Sequence, residues 1–237
     1  LAYEMLGFAG PDAREGLASL RAALEKEKDV VVLFGAELTG TAVARLVEFG
    51  NKLPGKTRYI ALGDYANSHG AADLGLVPDR LPGYARIDDP AARGRYEQLW
   101  KMPIPERRGL NLREMLDATV PGKLRALYVV GANPVKTFQL APAGRSLGQL
   151  ALLVVQDLFL TETARLADVV LPSACAYEKE GTCTNTCGEL QLVKPAVDPP
   201  AGARSDFEII RLLAQLLGQP IPLATPAAAL EEIRQHV

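Results

Sequence analysis

The residues of this sequence best suited to chemistry crowd into one stretch, Val154 to Gln191 (VVQDLFLTETARLADVVLPSACAYEKEGTCTNTCGELQ). It holds all three cysteines, Cys175, Cys183 and Cys187, together with the carboxylates Asp157, Glu162, Glu178 and Glu180. The cysteine spacing, C-x7-C-x3-C, matches neither the paired C-x-x-C of zinc sites nor the close-set runs of iron-sulfur ligation, so these thiols read as inert and no metal site is expected. The carboxylates stand beside strand ends, where general acid or base chemistry would want them, but their spacing specifies no mechanism. Glu162 is explained equally well as a first-turn acid favoured by the helix dipole after Thr161 as N-cap. No catalytic residue is assigned.

Two further features are weaker. His69 sits in a glycine-rich tract with no Ser-His-Asp or Cys-His arrangement around it, and it reads as a solvated loop histidine. Gly35 to Gly40 has the G-x-x-x-x-G spacing of a phosphate loop, but Thr41-Ala42 follow where that loop needs Lys and then Ser or Thr. No G-x-G-x-x-G follows any strand, which disfavours a nicotinamide cofactor held in the Rossmann manner.

The elements that must position these residues alternate. Residues 12 to 27 place Leu17, Leu20 and Leu24 on one face of an amphipathic helix entered near Pro11. Val30 to Phe34 reads as a buried strand, followed by a glycine turn and a helix carrying Val43, Leu46 and Val47, capped by Thr39 or Thr41. Arg58 to Gly63 is a second strand. The chain then leaves regular structure for the glycine- and proline-rich tract Asp64 to Arg108. Asn111 to Thr119 reads as a short helix with Leu112, Met115 and Leu116 inward, and Ala126 to Val130 as a third strand ended by the turn Gly131 to Pro134. A modest helix is expected after Leu140. Val154-Val155 and Asp168 to Leu171 supply the fourth and fifth strands, both of the fully buried parallel type. Ser205 and Glu208 form a capping box for a helix with Phe207, Ile210, Leu213, Ala214 and Leu217 inward, stopped by Gly218 and Pro220. Thr225 caps a last helix with Leu230, Ile233 and Val237 inward.

This pattern predicts an α/β fold, a doubly wound, mostly parallel, Rossmann-like sheet with a C-terminal helical segment. Residues 1–173 are expected to form the Rossmann-like domain, with 174–237 packing back on it as a loop and helices. In such sheets ligands dock at the carboxyl ends of the strands, which singles out Gln156-Asp157 and the loop after Pro172.

With 48% apolar and 23% charged residues, the chain can bury a core, and disorder is excluded. A net charge of -2 and a pI near 5.8, with lysines and arginines scattered between acids, offer no basic face for nucleic acid or an anionic membrane. No apolar run approaches the ~20 residues of a membrane helix, no leader is apparent, and the odd, small cysteine count suits a reducing compartment, so a cytoplasmic location is expected. The sequence opens in mid-pattern at Leu1 and reads as a fragment of a longer chain.

Four blocks, NSHGAADLGLVPDRLPGY (Asn67 to Tyr84), ALYVVGANPV (Ala126 to Val135), VVQDLFLTETARLADVVLP (Val154 to Pro172) and EKEGTCTNTCGELQ (Glu178 to Gln191), together resemble the molybdopterin oxidoreductase superfamily, in its order. That superfamily includes formate dehydrogenases, nitrate reductases and the large iron-sulfur subunit of NADH-quinone oxidoreductase (complex I). The chain looks most like the C-terminal part of the complex I branch. Relatives that hold the pyranopterin commonly read T-N-T-E-G-R or T-N-x-E-R-R in the last block, whereas here Thr186 is followed by Cys187-Gly188-Glu189 and the basic residue is missing.

The resemblance implies that Asn133, Pro134, Gln156, Asp157, Thr161, Glu162, Thr182, Asn185 and Gly188 line the cleft in which cofactor-bearing relatives hold the pterin dinucleotide. In complex I relatives that cleft is generally vacant. The implied role is then a non-catalytic, cofactor-free module of an oxidoreductase, supporting electron transfer from NADH to quinone. Its partners would be its own N-terminal half, which would carry the 4Fe-4S and 2Fe-2S clusters, and other peripheral-arm subunits, on the cytoplasmic side of the inner membrane without direct insertion. The alternative is a fragment of a molybdenum-dependent formate dehydrogenase catalytic subunit that grips a molybdopterin guanine dinucleotide. An independent nucleotide-binding enzyme is a third reading, and it predicts calorimetric binding of NADH or ATP.

Overall fold

Short β-branched runs separated by helical segments pair in parallel, because a helical crossover returns the chain to the same end of the sheet. The computed structural model describes residues 13–237 except 36, 39, 64, 121 and 139–145, with the backbone alone for 13–17. The fold is α/β, and the chain divides into two compact units, one ending at Ser68 and the other beginning at His69.

In the first unit, helix α1 (Ala13–Leu24) precedes strand β1 (Asp29–Phe34), helix α2 (Thr41–Asn51) and strand β2 (Lys56–Ala61). The strands run parallel in register from Asp29↔Lys56 to Phe34↔Ala61. Leu20 and Leu24 of α1 and Val43, Leu46 and Val47 of α2 are half-buried, as expected, while Pro11 and the Leu17 side chain lie outside the described residues. The start of α2 differs from expectation. Gly40, at φ +54°, occupies the cap position with no side-chain cap, and Thr41 is already the first helical residue. Glycine tolerates that backbone conformation and a β-branched residue does not. Thr39, the other expected cap, lies outside the described residues. Gly50 is buried because the Tyr59 side chain crosses α2 there to donate to the Val47 carbonyl at 3.1 Å, and a Cβ on Gly50 would overlap the Tyr59 hydroxyl.

The tract expected to be irregular carries more structure than its glycines and prolines suggest. It contains α3 (Ser68–Asp73), a two-residue hairpin of β3 (Arg80–Leu81) and β4 (Ala85–Arg86), and α4 (Pro90–Trp100). Asp89 caps α4 by accepting from Ala91 N at 2.9 Å, with Pro90 in the first turn. Only Ala92 and Tyr96 of α4 are buried, so its apolar face is too thin to stand out against its charged residues. The Tyr96 hydroxyl donates to the Pro82 carbonyl at 2.8 Å and pins the helix to the preceding turn.

Helix α5 (Leu112–Thr119) follows, with Asn111 and Glu114 forming a reciprocal capping box. Strand β5 (Ala126–Val130), the short helix α6 (Pro134–Thr137), strand β6 (Leu152–Asp157) and strand β7 (Val169–Pro172) follow, and the three strands form a parallel sheet of their own, in the order β5-β6-β7, with no strand pairing to β1 or β2 among the described residues. Residues 139–145 are not described, and the modest helix expected after Leu140 is represented by a single 3₁₀ turn, Leu147–Gln149. The core gathers Leu116, Val129, Val135, Leu147, Leu153, Val155 and Ala164 around β6. Burial on both faces holds for this central strand, where Val155 is fully buried, and fails for β7, where Val169 and Val170 stay exposed. An edge strand is covered on fewer sides.

Beyond the sheet come the antiparallel strands β8 (Gly181–Thr184) and β9 (Leu190–Val193), then α7 (Asp206–Leu216) and α8 (Pro226–His236). The segment returns to the sheet edge through Arg204, whose N–H donates to Pro172 O and whose carbonyl accepts from Ala174 N. The Ser205–Glu208 capping box and the Thr225 cap form as expected. In α7, Phe207, Leu213 and Ala214 are half-buried as expected, while Ile209 is buried in place of Ile210 and Leu217 is exposed. In α8, Leu230 and Ile233 are half-buried and Val237 is exposed.

Two outcomes follow from this packing. Leu153→Ala, at a site with 2% exposure, costs about 2–5 kcal/mol by loss of contacts and a residual cavity, read as a lower urea midpoint at unchanged m-value. Hydrogen bonds from Arg108 and then from the Asn111 backbone pull the Glu114 carboxyl from 4.5 down to about 2. Because this folded-state pKa lies below the unfolded one, the stabilisation is present above the unfolded value and is lost as pH falls through the folded one. The protection of α5 amides against hydrogen exchange therefore drops as pH falls from 4.5 toward 2, and Glu114→Gln removes that dependence.

Candidate functional site

Parallel register sets up the site. Val130 stands beside Gln156, and Gln156 beside Leu171, so β5, β6 and β7 end at a common edge. The ladder continues one step past the strands, with Gly131 N donating to Gln156 O at 2.8 Å and Ser173 N to Asp157 O at 3.1 Å. Gly131, at φ +59°, then turns the chain away from β5. Asn133-Pro134, Asp157 and Pro172-Ser173 thus lie at the carboxyl edge of the sheet, the region singled out from the sequence.

Asn133 and Thr163 form the first cluster there. Asn133 Oδ1 accepts from the Thr163 hydroxyl at 2.8 Å and from Thr163 N at 3.3 Å, while its Nδ2 donates to Glu162 Oε2 at 2.6 Å. The Thr163 oxygen in turn accepts from Val135 N at 3.2 Å, satisfying one of the orphan donors at the start of α6. Thr163 and Pro134 are fully buried. Thr161 behaves as the expected cap, its hydroxyl accepting from Ala164 N at 3.2 Å. The hydrogen bond from Asn133 holds the Glu162 carboxyl below its usual range, helped by its own backbone N–H and by the nearby charges of Lys136 and Arg165. Asp157 Oδ1 accepts from Phe159 N at 3.2 Å, closing the turn that leaves β6.

Gln156 anchors a second cluster. It is fully buried, and both ends of its amide are engaged. The Tyr128 hydroxyl donates to Oε1, while Nε2 donates to Asp206 Oδ1 at 2.5 Å. Lys179 donates to the other Asp206 oxygen. Burial, and then the charge of Asp206, push the Tyr128 phenol above its ordinary value. The chain Tyr128–Gln156–Asp206–Lys179 therefore joins β5, β6, the first turn of α7 and the loop before β8.

Thr182, Asn185 and Gly188 lie on the β8–β9 hairpin, where the geometry is local. The Asn185 side chain accepts from Cys187 N and from Glu189 N, each at 2.9 Å, and donates to the Glu189 carboxylate at 2.9 Å. Gly188 takes φ +81° and donates to Asn185 O, completing the turn. Glu178 is also used locally, accepting from Cys175 N at 2.8 Å. None of the three cysteines is in a disulfide, and among the described residues no group of three or more His, Cys, Asp or Glu side chains could hold a metal ion. His69 is not a solvated loop residue; it is half-buried in the first turn of α3.

Of the nine residues that the sequence singled out, the structure joins Asn133, Pro134, Thr161 and Glu162 around Thr163. It places Gln156 and Asp157 on the adjacent strand end, and Thr182, Asn185 and Gly188 on the hairpin. Thr163, Tyr128, Lys179 and Asp206 were not anticipated. One signal was available: a glutamine inside the apolar strand LLVVQD must find a partner for each end of its amide.

A family model described as molybdopterin oxidoreductase matches residues 43–216. The chain is 37% identical over 238 residues to an NADH-quinone oxidoreductase subunit of Rhizobium meliloti (strain 1021), covering 97% of this chain and 28% of that protein. It is 44% identical over 154 residues to the F420-dependent formate dehydrogenase subunit alpha of Methanocaldococcus jannaschii, covering 64% of this chain and 22% of that protein. It is 35% identical over 232 residues to the NADPH-Fe(3+) oxidoreductase subunit alpha of Geobacter sulfurreducens, covering 91% and 26%. The chain spans less than a third of the length of each of these relatives.

The Asn133–Thr163 cluster makes a direct prediction. Thr163→Val keeps the shape but leaves the buried Val135 N without its partner and removes one of the two donors to Asn133 Oδ1, at a cost of about 1–3 kcal/mol. Glu162→Gln, on an exposed side chain, stays within about 0.5 kcal/mol. Chemical denaturation of the two variants side by side measures the difference.

Proposed function

Since the chain belongs to the molybdopterin oxidoreductase family, we propose that it is a non-catalytic, cofactor-free structural domain of a complex I large iron-sulfur subunit. In this reading it supports electron transfer from NADH to quinone without performing it. Its partners are the N-terminal half of the same subunit, which carries the 4Fe-4S and 2Fe-2S clusters, and neighbouring peripheral-arm subunits on the cytoplasmic side of the membrane. Among the described residues no helix is long and apolar enough to cross a membrane, which accords with attachment through the complex.

The observation that carries the reading is the state of the amides at the rim. A pterin dinucleotide presents a pyrophosphate and a polar base, and it needs free donors. Gln156 is buried with one hydrogen bond at each end of its amide, Asn133 is bound to Thr163 and Glu162, and Asn185 is bound within its own hairpin. The one lysine of the Gln156 cluster is paired with Asp206. At the hairpin tip, Glu189 presents a carboxylate where a basic residue would suit a phosphate. The side chains named from the sequence do not fit the group. The Rhizobium meliloti relative, similar along nearly the whole chain, supports the same reading.

A second reading is a piece of a formate dehydrogenase catalytic subunit binding a molybdopterin guanine dinucleotide. It is favoured by the 44% identity with the F420-dependent formate dehydrogenase subunit and by the cations Lys136 and Arg165 beside Glu162.

Metal analysis and pterin fluorescence on the full-length protein separate the two. The structural reading predicts iron without molybdenum, tungsten or pterin; a stoichiometric pterin would sink it.

A further inference from the structure

An apolar cavity of about 320 Å³ lies between the β8–β9 hairpin, the first turn of α7 and helix α8, apart from the strand-end clusters. Its walls are Leu192 of β9, Phe207 of α7, Leu230 and Ile233 of α8, and Leu74. The volume falls at the lower end of the range of ligand pockets, about 300–1,000 Å³. Three charged side chains, Glu180, Glu231 and Arg234, complete the lining.

Two of those charges cancel. Glu231 accepts from Arg234 Nη1 at 3.2 Å and from Gln235 Nε2 at 3.4 Å. The Glu180 carboxylate makes no hydrogen bond or ion pair with another described residue, and the adjacent Lys179 is held by Asp206. One uncompensated carboxylate is therefore left beside an apolar chamber. The Thr182 hydroxyl, also in the lining, adds a neutral acceptor. Arg211 stands 5.9 Å from the Phe207 ring centroid, so this aromatic wall already borders on a cation.

The geometry points to a binding site for a small organic amine in its ammonium form, with the hydrocarbon body against Phe207, Leu230 and Ile233 and the ammonium on Glu180. A carboxylate of the same size would meet Glu180 with like charge, and a neutral alcohol would forgo the ion pair. Thr182 also belongs to the cleft rim that the family resemblance implies, but the inference rests on Glu180 and the apolar walls and not on the role proposed for that cleft.

Isothermal titration of the full-length protein at neutral pH with hexylammonium, hexanoate, hexanol and acetyl-lysine amide tests it, alongside the variants Glu180→Gln and Leu230→Trp. Hexylammonium should bind saturably and tighter than the other three, and lose about two- to fivefold in affinity in Glu180→Gln, the scale of one exposed ion pair. Leu230→Trp, which fills the cavity, should abolish binding. Because Glu180 is exposed, its variant keeps the test valid even if Leu230→Trp fails to fold. Four results would overturn the assignment: no saturable binding of hexylammonium, equal or tighter binding of hexanoate or hexanol, unchanged affinity in Glu180→Gln, or tighter binding of acetyl-lysine amide. The last would indicate a protein lysine as the occupant.

Discussion

A glutamine sealed inside a parallel sheet constrains everything around it. Each end of the Gln156 amide, left without a partner, would cost about 1–3 kcal/mol, so the fold must bring a donor and an acceptor to it. The donor is Tyr128 from the neighbouring strand, and the acceptor is Asp206, fifty residues further on at the start of α7. Two residues before Asp206, Arg204 docks on the edge of β7 through Pro172 and Ala174. Lys179 then balances the Asp206 charge and fixes the loop that leads into β8. The C-terminal segment is thus fastened to the sheet by a polar chain as well as by apolar packing.

The same chain bears on function. In a site that binds a polar ligand, strand-end amides and hydroxyls are held ready for an external partner. Here Gln156, Asn133 and Asn185 are committed to internal ones, and Thr163 closes the start of α6. In the proposed role, these side chains serve the fold.

The periodic parts of the fold were legible in the sequence. Five strands, the capping box at Ser205 and the cap at Thr225 rest on local rules that tertiary contacts did not override. Less local features were not. Helix α4 buries so little that its pattern is masked, and its start depends on Asp89 and Pro90 within a tract that reads as loop. In α7, Ile209 is buried instead of Ile210, a difference that periodicity alone does not show. At the site, strand ends could be placed from periodicity, and Thr161 as a cap from residue type. Thr163, Tyr128, Lys179 and Asp206 could not be, since each acts through a partner at least 27 residues away.

The central claim is that the rim amides are spent by the fold. It is tested most directly by following the side-chain NH₂ signals of Asn133, Gln156 and Asn185 by NMR during a titration with guanosine diphosphate, the polar half of a pterin guanine dinucleotide. The account predicts that all three signals stay in place and that the Gln156 protons exchange slowly throughout. A saturable shift of these signals, with Gln156 becoming fast-exchanging as its contacts to Tyr128 and Asp206 open, would contradict it.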